Sequence, residues 1–158
     1  MTSQGSFTHL DGQGQAHMVD VSGKPVTRRE AAASCRVLLA AETVARLADL
    51  PKGDAFAVAR LAGIQAAKRT GEWIPLAHPL PLEQVEIDLA PAADGVLVRS
   101  RVVVTAKTGA EMEALVACAA AALALYDMVK AIERGAVVTD LRLEAKSGGR
   151  SGDYRRPA

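Results

Sequence analysis

Aromatic side chains make up only 3% of this 158-residue chain, which removes the stacking platforms on which single-stranded nucleic acids are usually held. An excess of charge of one sign is also lacking. Nineteen Lys and Arg face 18 Asp and Glu, and the resulting net charge of +1 is too small to hold nucleic acid or an anionic membrane at long range. Any anion site must therefore be local. With only three histidines and no close pairing among them, a dedicated transition-metal site is not expected. Cys35 and Cys118 lie far apart without CxxC spacing and among small or aliphatic neighbours. They read as buried thiols in a reducing compartment rather than as a disulfide or zinc ligands. No internal repeat and no GxxxxGK[ST] phosphate loop is present. The uncharged run from Ala114 to Tyr126 falls short of a membrane span. The opening "MTSQGSFTHLDGQGQ" lacks the basic-then-apolar order of a secretory signal. These exclusions point to a soluble cytoplasmic protein with neither nucleic acid nor membrane as partner.

What is there suffices for a core: 49% of the residues are hydrophobic, and a chain of this length suits a single domain, residues 1–158. Residues 1 to about 15 and 147–158 are polar and Gly-rich and are expected to be mobile. "HMVDVSGKP" reads as a short strand entering a turn, and "SCRVLL" has strand character. "AETVARLADL" suggests a short helix. Asp54 is a plausible N-cap for a helix over "AFAVARLAGIQAAKR", whose Ala59, Ala62, Gly63, Ala66 and Ala67 form a small-residue surface suited to close packing. "IPLAHPLPL", with three prolines, reads as a stiff extended loop. Alternating segments around Val85–Leu89 and Val96–Val104, separated by "PAADG", predict two antiparallel strands. A long helix over Ala110–Glu133, capped by Gly135, then precedes a last strand, "AVVTDLRLEAK". This order predicts an α+β fold of ferredoxin-like type, an antiparallel sheet with helices packed on one face. The long helix is apolar all round between Ala114 and Tyr126, so it is either deeply central or part of a subunit interface. The small size of the chain favours the interface.

Asp127 and Lys130 stand at i and i+3 near the end of that helix, close enough to exchange a proton or touch one ligand. On spacing alone an ordinary solvated ion pair explains them better; burial by the apolar flanks would shift both toward acid–base use. At the other end, Glu111 and Glu113 suit the positive end of the helix. Glu113 and Asp127 are about four turns apart, on the order of 20 Å by helical rise, so a small site using both needs a long substrate or two chains. Lys52 beside Gly53 at a helix start, and Lys146 before "SGGRSG", are arrangements that accept phosphate. Arg28, Arg29, Lys68 and Arg69 also fall at breaks in the pattern. Proline-flanked His78 is a candidate for ligand contact or proton transfer; His9 and His17 are weaker ones.

Five blocks in order, "THLDGQGQAHMVDVSGKPVTRREA", "KGDAFAVARLAGIQAAKRT", "IPLAHPL", "TGAEMEALVACAAAALALYDMVKA" and "AKSGGRSGD", resemble the MoaC family, the cyclic pyranopterin monophosphate synthases of molybdenum cofactor biosynthesis. The resemblance runs from about Thr8 to Asp153. It implies a lyase that converts (8S)-3',8-cyclo-7,8-dihydroguanosine 5'-triphosphate to cyclic pyranopterin monophosphate with release of diphosphate. It also implies a ferredoxin-like fold and a homohexamer, a trimer of dimers, with sites at subunit interfaces. In the family's pattern the acid–base pair falls on Asp127 and Lys130. Substrate contacts fall on Leu76, Ala77, His78, Met112 and Glu113, and phosphate ligands and further site groups on Arg29, Lys52, Lys68 and Lys146. No resident cofactor or metal is implied, although Mg2+ could accompany the triphosphate. Ala77 stands where many relatives have cysteine, which argues against a thiol mechanism at that position, and Trp73 stands where leucine is common. A non-catalytic oligomeric module that binds a phosphorylated pterin or nucleotide would share the phosphate ligands without needing the acid–base pair, and a purely structural oligomer would lose no ligand affinity on replacement of Lys52 and Lys68.

Overall fold

The computed structural model describes residues 9–157. The part of the expected mobile N-terminus that covers residues 1–8 lies outside the described residues. The elements follow as β1 (Thr27–Leu38), α1 (Ala41–Ala45), α2 (Ala55–Lys68), α3 (Thr70–Trp73), β2 (Gln84–Ala92), β3 (Gly95–Ala106), α4 (Glu111–Val129), β4 (Val137–Ser147) and β5 (Tyr154–Arg155). The strands form one antiparallel sheet in the order β2-β3-β1-β4-β5, and helices pack on it, as the ferredoxin-like expectation requires.

β1 is longer than its sequence suggests. "RREAAA" has helical propensity, yet Thr27–Ala33 continues the strand, because Ala31, Ala33, Cys35 and Val37 alternate onto one buried face. Their small side chains let α4 lie close to the sheet. The segment "HMVDVSGKP", expected as a strand, instead runs through an irregular stretch and a turn at 22–24 that closes with the Lys24 amide on the Val21 carbonyl at 3.0 Å. β4 shifts register between its pairings Ser34↔Arg142 and Arg36↔Thr139, and Asp140 takes a φ of 56° there, a left-handed conformation that aspartate tolerates. Residues 147–157 carry the end of β4 and the short β5, whose Lys146↔Tyr154 pairing extends the sheet edge.

α2 begins as expected: the Asp54 carboxylate accepts from the amides of Phe56 and Ala57 at 3.0 and 3.0 Å. Its small-residue surface packs on α4 so closely that a Cβ on Gly63 would stand 2.9 Å from the Ala117 carbonyl oxygen. α4 ends earlier than the sequence suggests. The Lys130 amide bonds the Tyr126 carbonyl at 2.9 Å and closes the helix there, well before Gly135.

α4 packs against β1, β3 and β4 on one side and α2 on another. Most of its apolar circumference is thereby covered within the chain, although Leu123 remains 56% exposed. With 19 residues it is long and apolar enough to cross a membrane by length and composition, but most of it serves as the core helix of this fold. The Ser100 hydroxyl donates to the Ala114 carbonyl at 2.6 Å and ties the helix to β3. On the opposite face of the sheet, Arg101 forks onto both carboxylate oxygens of Glu30 at 2.6 and 2.8 Å and reaches Glu86 at 3.3 Å.

Candidate functional site

The two ends of α4 carry two different collections of polar side chains. At its C-terminal end Asp127 lies between two ammonium groups. Lys130 Nζ is 2.7 Å from Oδ1, and Lys52 Nζ is 3.0 Å from Oδ2 while donating to the Asp127 backbone carbonyl at 2.7 Å. Lys52 arrives from the turn before α2, 75 residues away in sequence. The loop that leads into the Asp54 N-cap positions it, so the α2–α4 packing assembles this cluster. The hydrogen bond from Lys130, then that from Lys52, holds the Asp127 carboxyl below its ordinary range. The group is therefore ionised at neutral pH. All three side chains stay substantially exposed, so the apolar flanks do not desolvate the pair. A phosphate arriving here would compete with the carboxylate for both lysines.

At the N-terminal end Glu113 is nearly sequestered, with 3% of its surface exposed. It borders a cavity of about 270 Å³ lined also by Ala77, His78, Met112, Thr108, Gly109, Lys24 and His9. Burial is the main reason its carboxyl is pushed up to about 7; the neighbouring Glu111 carboxylate adds to the shift, and a hydrogen bond from its own backbone amide opposes it. A carboxyl that titrates near neutrality can both give and take a proton. The rigid "IPLAHPL" segment, held by the Ala77 amide on the Ile74 carbonyl at 3.0 Å, sets His78 in the same wall.

A basic corner is tied to this same end of α4. Lys146 Nζ lies 2.9 Å from Glu111 Oε1 and donates to Ser151 Oγ at 2.8 Å. Arg29 spends Nε and Nη2 on the carbonyls of Ala106 and Lys107, at 3.1 and 3.0 Å. Against its Nη1 lies Gly149, where a Cβ would come within 2.1 Å. Gly148 and Gly149, with φ of 84° and 82°, curve the backbone of "SGGRSG" over the start of β1, the kind of turn that can gather amides toward an anion.

The structure thus brings Ala77, His78, Met112 and Glu113 together around one cavity, and Lys52, Asp127 and Lys130 together at the far end of the helix. Arg29 and Lys146 flank the first collection. Leu76 is half-buried beside Ala77 but does not line the cavity. Lys68, exposed in the last turn of α2, makes no side-chain hydrogen bond or ion pair among the described residues. Sequence reasoning missed the contributions of Glu111, Lys24 and Thr108. The spacing of Glu111 and Glu113 hinted at the first, since residues two apart on a helix turn to different sides and can serve different partners. Among the described residues no three His, Cys, Asp or Glu side chains form a group that could hold a metal ion.

Comparison with known proteins shows the family of the chain. Residues 18–149 match the sequence model of the MoaC family. A protein of Streptomyces griseus subsp. griseus named cyclic pyranopterin monophosphate synthase is 53% identical over 160 residues, covering 100% of this chain and 90% of the relative. Relatives of the same name from Streptomyces coelicolor and a Nocardioides species are each 54% identical, covering 97% and 96% of this chain and 91% and 96% of the relatives.

Proposed function

Because the chain belongs to the MoaC family, we propose that it is a lyase of molybdenum cofactor biosynthesis, acting in the cytoplasm on (8S)-3',8-cyclo-7,8-dihydroguanosine 5'-triphosphate. The products are cyclic pyranopterin monophosphate and diphosphate. The observation that carries the chemistry is the Asp127 carboxylate held between Lys130 and Lys52 at 2.7 and 3.0 Å.

An anionic triphosphate drawn to these ammonium groups weakens their hold on the carboxylate, and Asp127 regains affinity for a proton only once substrate is bound. Acid–base work by the Asp127 and Lys130 pair is in this way coupled to occupancy of the site. In the phosphate step a ribose-derived hydroxyl attacks the α-phosphorus, a new P–O bond closes the ring, and the bond to the departing diphosphate breaks. Lysines and Arg29 hold the phosphates in line and offset the charge that develops. Lys146 releases Glu111 or Ser151 to reach an anion, and Lys68 lies free to do so. Glu113, His78, Leu76, Ala77 and Met112 position the base, with the Glu113 carboxyl poised to move protons during purine opening. Any Mg2+ travels with the triphosphate as part of the substrate.

Glu113 and Asp127 occupy opposite ends of one helix, on the order of 20 Å apart. We therefore assign each working site to two copies of the chain, within a homohexamer built as a trimer of dimers. Exposed apolar residues Leu123 on α4, Val58 and Leu61 on α2, and Val137, Val138 and Leu141 on β4 are available for such contacts; light scattering tests the assembly. The decisive experiment incubates the purified cyclised intermediate with the wild type, Asp127→Asn and Lys130→Ala. Wild type should form the pterin product, and each variant should lose at least about 100-fold in rate while keeping its fold. Full activity in either variant, or tight binding by the wild type without diphosphate release, would overturn the assignment.

A further inference from the structure

Two thiols that the sequence keeps 83 residues apart meet in the layer between the sheet and α4. The Sγ atoms of Cys35 on β1 and Cys118 on α4 are 3.2 Å apart, both side chains are free, and both residues are 0% exposed. Cys118 has two acceptors within reach of its S–H, the Cys35 sulfur and the Val98 carbonyl at 3.6 Å. The Cys35 sulfur in turn lies 3.7 Å from the Cys118 carbonyl. Nothing in the proposed chemistry uses this pair. A disulfide needs an S–S separation of about 2.05 Å, so the sulfurs must approach by only about 1 Å.

We propose that Cys35 and Cys118 form a reversible dithiol–disulfide couple that, when oxidised by a small peroxide, staples β1 to α4 through the core. The hydrogen bond from Cys118 favours ionisation of Cys35, and the same contact together with burial pushes Cys118 up. Of the two, Cys35 is therefore the nucleophile. Its thiolate attacks a peroxide oxygen, the O–O bond breaks, and a sulfenic acid forms with one water released. The Cys118 sulfur then attacks the sulfenic sulfur: the S–S bond forms, the S–O bond breaks, and a second water leaves. In sum, the two thiols give up two protons and two electrons, and one hydrogen peroxide is reduced to two waters. Because neither sulfur is exposed, the oxidant enters only when the layer between α4 and the sheet opens transiently. The reaction should therefore be slow in buffer and faster in mild denaturant.

The test uses the full chain, treated with hydrogen peroxide with and without sub-denaturing urea, then unfolded, alkylated and weighed intact. The expected result is loss of both alkylation sites with a mass decrease of about 2 Da from the two departing hydrogens, in a product that remains a single chain on a non-reducing denaturing gel. The thermal midpoint should rise by roughly 10 °C, the effect of closing a loop of this length in a domain of this size. Dithiothreitol should reverse it. In Cys35→Ala, or in Cys118→Ala should the first fail to fold, peroxide should give no such shift. Two thiols still open to alkylation after treatment in urea, a link between chains, or oxidation only to sulfinic acid would overturn the proposal. None of these readouts depends on turnover, so failure here is distinguishable from failure of the catalytic assignment.

Discussion

Replacing Glu113 by glutamine should make the protein more stable at alkaline pH while leaving acid stability nearly unchanged. Glu113 is almost fully buried, and its carboxyl is pushed up to about 7 from the 4.5 of an ordinary glutamate, chiefly by loss of solvation. In the unfolded chain the group returns to its ordinary value. Between these values the folded state binds more protons than the unfolded state, so stability falls as pH rises. The contribution is fully present below about 4.5 and lost as pH climbs through 7. At 1.36 kcal/mol per unit, the interval amounts to about 3 kcal/mol at most. Glutamine keeps the shape of the side chain and does not ionise, so the variant escapes that loss. Urea unfolding of both proteins at pH 4.5 and 8.5 isolates the effect, because the histidines and surface carboxylates cancel in the comparison. The stability difference should shift by about 3 kcal/mol in favour of Glu113→Gln across the range. Parallel pH curves for the two proteins would refute the reasoning and would mean that Glu113 is ionised in the folded core.

Two packing predictions follow from glycines. Gly63→Ala gains about 1 kcal/mol of helix propensity, but its Cβ would press on the Ala117 carbonyl and the Ile87 side chain, each at 2.9 Å. Separating α2 from α4 costs about 1–3 kcal/mol, so a lower urea midpoint is expected; a higher one would mean that the helices are looser than described. Gly148→Ala combines a φ of 84° with a Cβ only 2.3 Å from the Arg28 carbonyl oxygen. A loss of at least about 2 kcal/mol should appear, with faster hydrogen exchange at the amides of β5, and unchanged protection there would count against the packing of this segment on β1.

How far the sequence disclosed this molecule depended on the distance over which each signal acts. Local signals were readable: the Asp54 cap, the three prolines that stiffen the His78 loop, and the strands flanking "PAADG". Thr27–Ala33 was hidden because "RREAAA" has the local preferences of a helix, and only pairing on both sides, to β3 and β4, holds it extended. The end of α4 was misplaced because Gly135 looked like a stop signal, whereas the chain leaves the helix at Lys130. Of the functional groups, the i, i+3 pair Asp127 and Lys130 was visible from spacing. The approach of Lys52 to Asp127, of Lys146 to Glu111 and of Cys35 to Cys118 was not, since each depends on how elements dock. The expectation that the long helix lacked cover within its own chain underestimated α2, whose alanines and glycine bring the two backbones together.

The strand order has a consequence for synthesis on the ribosome. β1 occupies the middle of the sheet, but one of its neighbours, β4, follows it by about 110 residues. At 5–20 residues per second, that is a delay of roughly 5–20 s. Late in that interval the hairpin of β2 and β3 can form and β1 can join β3, but until β4 arrives the other edge of β1 has no partner and stays open to pairing with a neighbouring nascent chain. The step that commits the protein to its native form is therefore the arrival of its last fifth, and a ribosome that stalls after α4 would release a chain carrying an unprotected strand.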